Sequence, residues 1–164
     1  MGTRGAYGFR KNGELKVTYN HYDSYYEHLG QHIIEFINNV NSIEKLNEIY
    51  DSIELVDESS EPTAQQVEEC KKYANLSVSE GTYKDWYCLL RNAQGDLEVY
   101  LDGLKYMTNA NFFIEDTVFC EYYYIIDLDR NVLVVSDQEN TKEISLDYIF
   151  KNSNIELDEY MKTA

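Results

Sequence analysis

The sequence predicts an α+β fold: an antiparallel sheet built from an N-terminal and a C-terminal β-hairpin, packed with several helices from the middle of the chain. Three observations carry this. Asn12-Gly13 separates two strand-like runs, a 3.6-residue apolar repeat follows at residues 26–40, and a second pair of β-rich runs brackets a polar turn near residue 129.

The runs Thr3 to Arg10 and Leu15 to Tyr19 flank Asn12-Gly13, the dipeptide that best suits the tight turn matching strand twist. A two-residue turn sets the register, placing Arg10 opposite Leu15, Gly8 opposite Val17 and Ala6 opposite Tyr19 on one face. Phe9, Tyr7, Lys16 and Thr18 then occupy the other. Apolar residues on both faces predict a hairpin covered on each side. Next, Asp23 or Ser24 is the expected cap of a helix whose Tyr26, Leu29, Ile33, Phe36, Ile37 and Val40 form one stripe. Ser42 caps a shorter helix to Ile53, with Leu46, Ile49 and Tyr50 inward. Pro62, the single proline, fits the first turn of a third helix carrying Val67, Cys70 and Tyr73.

Further segments are expected around Trp86, Leu89 and Leu90, and as a helix from Leu97 to Met107. Tyr122 to Ile126 and Val132 to Val135 form the second hairpin, with Asn131 supplying a left-handed turn residue. Ser145 to Phe150 and Leu157 to Met161 complete the chain as short helices. No repeat or long linker divides the sequence, so residues 1–164 are expected to form a single domain. Its parts are a hairpin and helix at 3–40, an acidic helical middle at 41–110, and a hairpin with short helices at 118–164.

Charge is distributed unevenly. Residues 1–40 hold four acids and four bases, whereas residues 41–164 hold 26 acids and 10 bases, the whole net charge of −16. Such a chain repels phosphate backbones and anionic membranes and attracts basic protein surfaces. An apolar fraction of 43% and 16 tyrosines argue against disorder, and so many amphipathic rings predict some at the surface. The three cysteines, Cys70, Cys88 and Cys120, are odd in number and unpaired by motif, which predicts reduced thiols in the cytoplasm of a host cell. No apolar run approaches the roughly 18 residues of a membrane span, and Ala6 occupies the position where a myristoylation motif needs Ser or Thr.

Met1-Gly-Thr-Arg-Gly5, Gly8-Phe9, Thr18-Tyr-Asn-His21, Asp23-Ser-Tyr25, Leu29-Gly30 and Tyr124-Ile-Ile-Asp-Leu-Asp129 resemble segments of an uncharacterised family of phage and mobile-element proteins. The chain departs from that pattern at Tyr26, where the family usually carries proline. The resemblance implies a phage or prophage origin. Small acidic proteins of that origin often act by binding host proteins, including defence nucleases.

His28 and His32 lie one helical turn apart with Glu35 beside them, a permissive but unspecific metal-ligand set, and a solvated helix face explains them better. Asp127-x-Asp129-x-Asn131 matches the first three positions of a calcium loop, then fails at Val132 and Gln138, so hairpin-turn chemistry is the better account. A hydrolase using Thr3 near the first strand, or His21 with a cysteine, is the enzymatic alternative, as is a metal-dependent enzyme built on His21, His28 and His32. No cofactor is implied. The leading expectation is an acidic mimic of nucleic acid that binds and inhibits a basic host protein, without contacting nucleic acid or membrane itself. Its interface candidates are the densest acidic stretch: Asp51, Glu54, Asp57, Glu58, Glu61, Glu68 and Glu69.

Overall fold

A computed structural model describes residues 3–163. β1 (Gly5–Lys11) and β2 (Glu14–Asn20) form the first hairpin, with Asn12 at φ 52° and Gly13 at φ 75°. Both turn residues adopt the left-handed conformation that a two-residue hairpin loop demands. Arg10 pairs with Leu15, Gly8 with Val17 and Ala6 with Tyr19. Gly8 is required by close approach, because a Cβ there would lie 2.0 Å from the Lys16 carbonyl oxygen.

The chain continues through α1 (Gln31–Val40), α2 (Ile43–Ser52), β3 (Glu54–Val56), α3 (Ala64–Cys70), α4 (Trp86–Leu89), α5 (Glu98–Leu101) and β4 (Tyr106–Thr108). It ends with β5 (Tyr122–Asp127), β6 (Val132–Ser136), β7 (Thr141–Ser145), α6 (Leu146–Lys151) and α7 (Leu157–Lys162). Five strands make one sheet in the order β2-β1-β5-β6-β7, and β3 and β4 make a separate two-stranded sheet.

The sheet corrects the expectation of a purely antiparallel arrangement. The two hairpins meet through β1 and β5, which run parallel, with Tyr7 opposite Tyr124 and Phe9 opposite Ile126. Parallel neighbours need a long crossover, and residues 21–121 provide it. Both hairpin turns therefore lie at the same end of the sheet. β7 and the three-residue β3 and β4 were also unforeseen, since β7 alternates weakly and strands of three residues carry too little periodicity to detect.

One sheet face holds Tyr7, Phe9, Tyr124, Ile126, Leu133, Val135 and Ile144, buried against Ile33, Phe36, Ile37, Leu46 and Ile49 of α1 and α2. The Phe9 ring meets Phe36 edge-on at 6.5 Å and Tyr50 at 6.3 Å. Each large side chain so buried contributes about 1.5–3 kcal/mol, so this face dominates stability. The opposite face carries a smaller cluster of Ala6, Val17, Cys120 and Ile125, with Phe113 and Ile114 packed on it.

Local capping accounts for most helix starts. The Ser42 hydroxyl accepts from Lys45 N, and the Ser145 hydroxyl accepts from Tyr148 N. Two expected starts are displaced. Asp23 sits at φ 53° and Ser24 is buried, its carbonyl accepting from the Tyr124 hydroxyl at 2.7 Å and its Oγ from Asn20 at 2.8 Å. With Ser24 tying β2 to β5, the chain enters α1 through a π-helical turn at Tyr26–Gly30. Pro62 precedes the cap rather than opening the first turn, because Thr63 and Gln66 form a reciprocal capping box. The helix expected from Leu97 to Met107 stops at Leu101, and Tyr106 and Met107 join β4. Among the described residues no helix is long and apolar enough to cross a membrane.

Candidate functional site: an aromatic cleft with an acidic rim

β3 and β4 pair in parallel, so the segments that follow them leave the small sheet side by side. Asn109 N donates to Val56 O at 2.9 Å, extending that pairing. The second segment then closes the free edge of β2. Ala110 N donates to Val17 O at 2.8 Å, while the Asn111 side chain accepts from Val17 N and donates to Leu15 O, each at 2.8 Å. Its amide thus takes the place of a strand residue opposite Leu15 and Val17.

The three segments enclose a cleft of about 400 Å³. Tyr19 from β2 and Phe112 and Phe113 supply aromatic walls; Asp57, Glu58 and Ser59 supply the rim. Tyr19 and Phe113 pack edge to face at 5.2 Å, and the Tyr19 hydroxyl shares a 2.8 Å hydrogen bond with His21 Nδ1. These contacts fix Tyr19. Phe112 is 72% exposed, an unusual position for a large apolar ring beside other aromatic groups. A narrower recess continues past Tyr19 and Glu58 to Trp86 and Tyr87, and the buried Trp86 indole N–H has no hydrogen-bond partner among the described residues.

The two rim carboxylates differ. Asp57 accepts from the Ser59 hydroxyl at 2.7 Å and the Ser59 amide at 2.9 Å, and these bonds hold its pKa below the ordinary value. Glu58 lines both the cleft and the recess beside it. Desolvation, then the charges of Asp85 and Asp57, push its pKa up. Among the described residues neither carboxylate forms an ion pair, so the rim presents negative charge without internal compensation.

All seven expected interface carboxylates are exposed. The fold separates them into different settings. Asp51 pairs with Lys11 at 2.8 Å, Glu61 with Lys84 at 3.7 Å and Glu68 with Lys71 at 3.1 Å. Glu69 lies beside Tyr106 and its charge pushes the Tyr106 pKa up, and Glu54 lies at the start of β3. Only Asp57 and Glu58 join the cleft. Tyr19, Phe112 and Phe113 were not nominated from sequence; the adjacent Phe112-Phe113 pair in a polar stretch was the available signal.

The histidines are dispersed. His32 Nε2 accepts from Leu97 N at 2.9 Å, so that atom is committed to the loop before α5 and does not also donate to Asp96, 3.5 Å away. His28 and Glu35 are exposed, and His28 lies near the Tyr25 ring. Among the described residues no group of three or more His, Cys, Asp or Glu is arranged to hold a metal ion, so His28, His32 and Glu35 do not converge. Thr3 is buried, as are all three cysteines. Burial pushes the Cys70 thiol up to about 11 and the Cys120 thiol up to about 12, far from a reactive thiolate. The calcium-like triplet serves the turns instead, with Asp127 accepting from Asp129 N and Arg130 N. No known protein family, curated protein or solved structure matches the chain.

Proposed function

We propose that this protein binds a partner protein with a basic surface, acting as an acidic inhibitor of phage type whose carboxylates imitate the charge of a nucleic acid. The observation that carries this reading is the cleft rim: Asp57 and Glu58 have no ion-pair partner among the described residues and adjoin exposed aromatic area. Interfaces favour aromatic anchors at their centre and charge complementarity for encounter and register. Glu54, Asp57, Glu58 and Glu61 occupy one run of chain leading to the cleft, with Asp51 on α2 before it and Glu68 and Glu69 on α3 after it. A basic host protein that handles nucleic acid, such as a defence nuclease, has the complementary chemistry.

Affinity capture from host lysate at low and high salt tests the reading. Basic proteins retained at low salt, released at high salt and lost with a Glu54→Lys, Asp57→Lys, Glu58→Lys triple variant are the expected result. Failure to retain any basic protein at low salt overturns it.

A further inference from the structure

We propose that the aromatic cleft receives one arginine side chain of the partner, with the guanidinium seated against Asp57 and Glu58. This rests on the function proposed above and assigns the partner a specific anchor. The walls and rim together suit a planar cation. A guanidinium stacks on aromatic faces and forks onto carboxylates, and it is more weakly hydrated than an ammonium. Tyr19 and Phe112 offer rings, and the cleft lining contains no Lys or Arg of this chain. Arg4 of the chain itself does not line the cleft; it lies 5.0 Å from the Phe119 ring centroid, and its charge also reaches Tyr19.

The rim is held ready for such a group. The Asp57 turn is fixed by Ser59 and by Ser60 N donating to Asp57 O at 2.9 Å. Asn109 Oδ1 accepts from Asn111 N at 2.9 Å, fixing the opposite wall. Little ordering is then required on binding, which favours a small anchor. An apolar side chain would cover the rings but leave Glu58 desolvated beside Asp57 and Asp85, whereas a guanidinium supplies the missing positive charge.

The test is a ¹⁵N-resolved NMR titration with the blocked peptide acetyl-Gly-Arg-Gly-amide. Its controls carry citrulline, which keeps the shape without the charge, or lysine, in place of arginine. Saturable shifts of the Asp57–Ser59 and Asn109–Phe113 amides are expected with arginine, weaker by about tenfold with citrulline. Phe112→Ala and Glu58→Gln, both exposed positions, are each expected to weaken the arginine peptide by about three- to tenfold. Absence of shifts at these amides, or equal affinity for citrulline or lysine, overturns the assignment. A captured basic partner that Phe112→Ala retains undiminished overturns the arginine anchor while leaving the acidic-surface reading intact. Saturation of the cleft by the peptide with no basic partner captured does the reverse.

Discussion

The Asp129 carboxylate grips the turn of the other hairpin: one oxygen accepts from Asn12 N at 2.7 Å and the other from Gly13 N at 2.9 Å. This contact exists because β1 and β5 run parallel and bring both hairpin tips to one end of the sheet. The triplet that imitates a calcium loop is therefore a clasp between two turns. The amide bonds from Gly13 and Asn12 depress the Asp129 pKa below the ordinary carboxylate value. A depressed native pKa gives stability that is complete above the unfolded-state pKa of about 4 and is lost as pH falls through the native one. Asp129→Asn is expected to lower the urea midpoint at neutral pH. The wild-type and variant midpoints should converge below about pH 4, and parallel curves down to pH 2 would contradict the clasp.

Gly8→Ala tests the closeness of the first two strands. The added methyl would meet the Lys16 carbonyl at 2.0 Å, with Val17 Cα at 2.8 Å, and neither backbone atom can rotate away. A loss of about 2–4 kcal/mol in urea unfolding is expected. A loss under 0.5 kcal/mol would show that the strands separate without cost.

Asn111 closes the β2 edge, and its removal should act locally. Asn111→Ala leaves Val17 N and Leu15 O without their 2.8 Å partners, a loss of about 1–3 kcal/mol. The Val17 amide is expected to exchange with deuterium markedly faster in the variant. Unchanged protection would mean that Ala110 alone guards the edge.

The two adjacent phenylalanines should separate structure from recognition. Phe113 packs on the Ala6–Val17 cluster and on Tyr19, so Phe113→Ala is expected to cost about 1–3 kcal/mol. Phe112 is exposed, and Phe112→Ala should change stability by less than about 0.5 kcal/mol. Calorimetric melting of both variants decides, and equal destabilisation would mean that Phe112 belongs to the core.

The buried thiols predict chemical silence. With Cys70 and Cys120 pushed up to about 11 and about 12 and Cys88 fully buried, Ellman's reagent should label no thiol of the native protein near neutral pH. All three should react on unfolding in urea. Rapid native labelling would require an opening that the packing does not show.

Where a residue's partner lies close along the chain, its role was legible. Asn12-Gly13 fixed a turn and through it seven cross-strand pairs, and Ser42 capped the helix that follows it. The apolar stripe of α1 placed Ile33, Phe36 and Ile37 in the core. Each of these follows from interactions spanning a few residues, whose geometry the side-chain types nearly dictate. The exposure of the seven nominated carboxylates was also legible, because a charged group stays at the surface unless it is paired.

Tertiary structure alone decided the rest. The parallel union of β1 and β5, the clasp from Asp129 to Asn12, the bond from Leu97 to His32 and the closure of β2 by Asn111 join residues 65 to 117 positions apart. Such pairs leave no periodic trace, because either partner alone is compatible with many surroundings. His32 shows the consequence: its spacing from His28 suggested a metal ligand, yet the ring nitrogen is committed to a backbone amide of a distant loop. The charge of this protein was written in its sequence. The place where that charge meets exposed aromatic surface was set only when parallel β3 and β4 delivered their following segments together to the edge of β2.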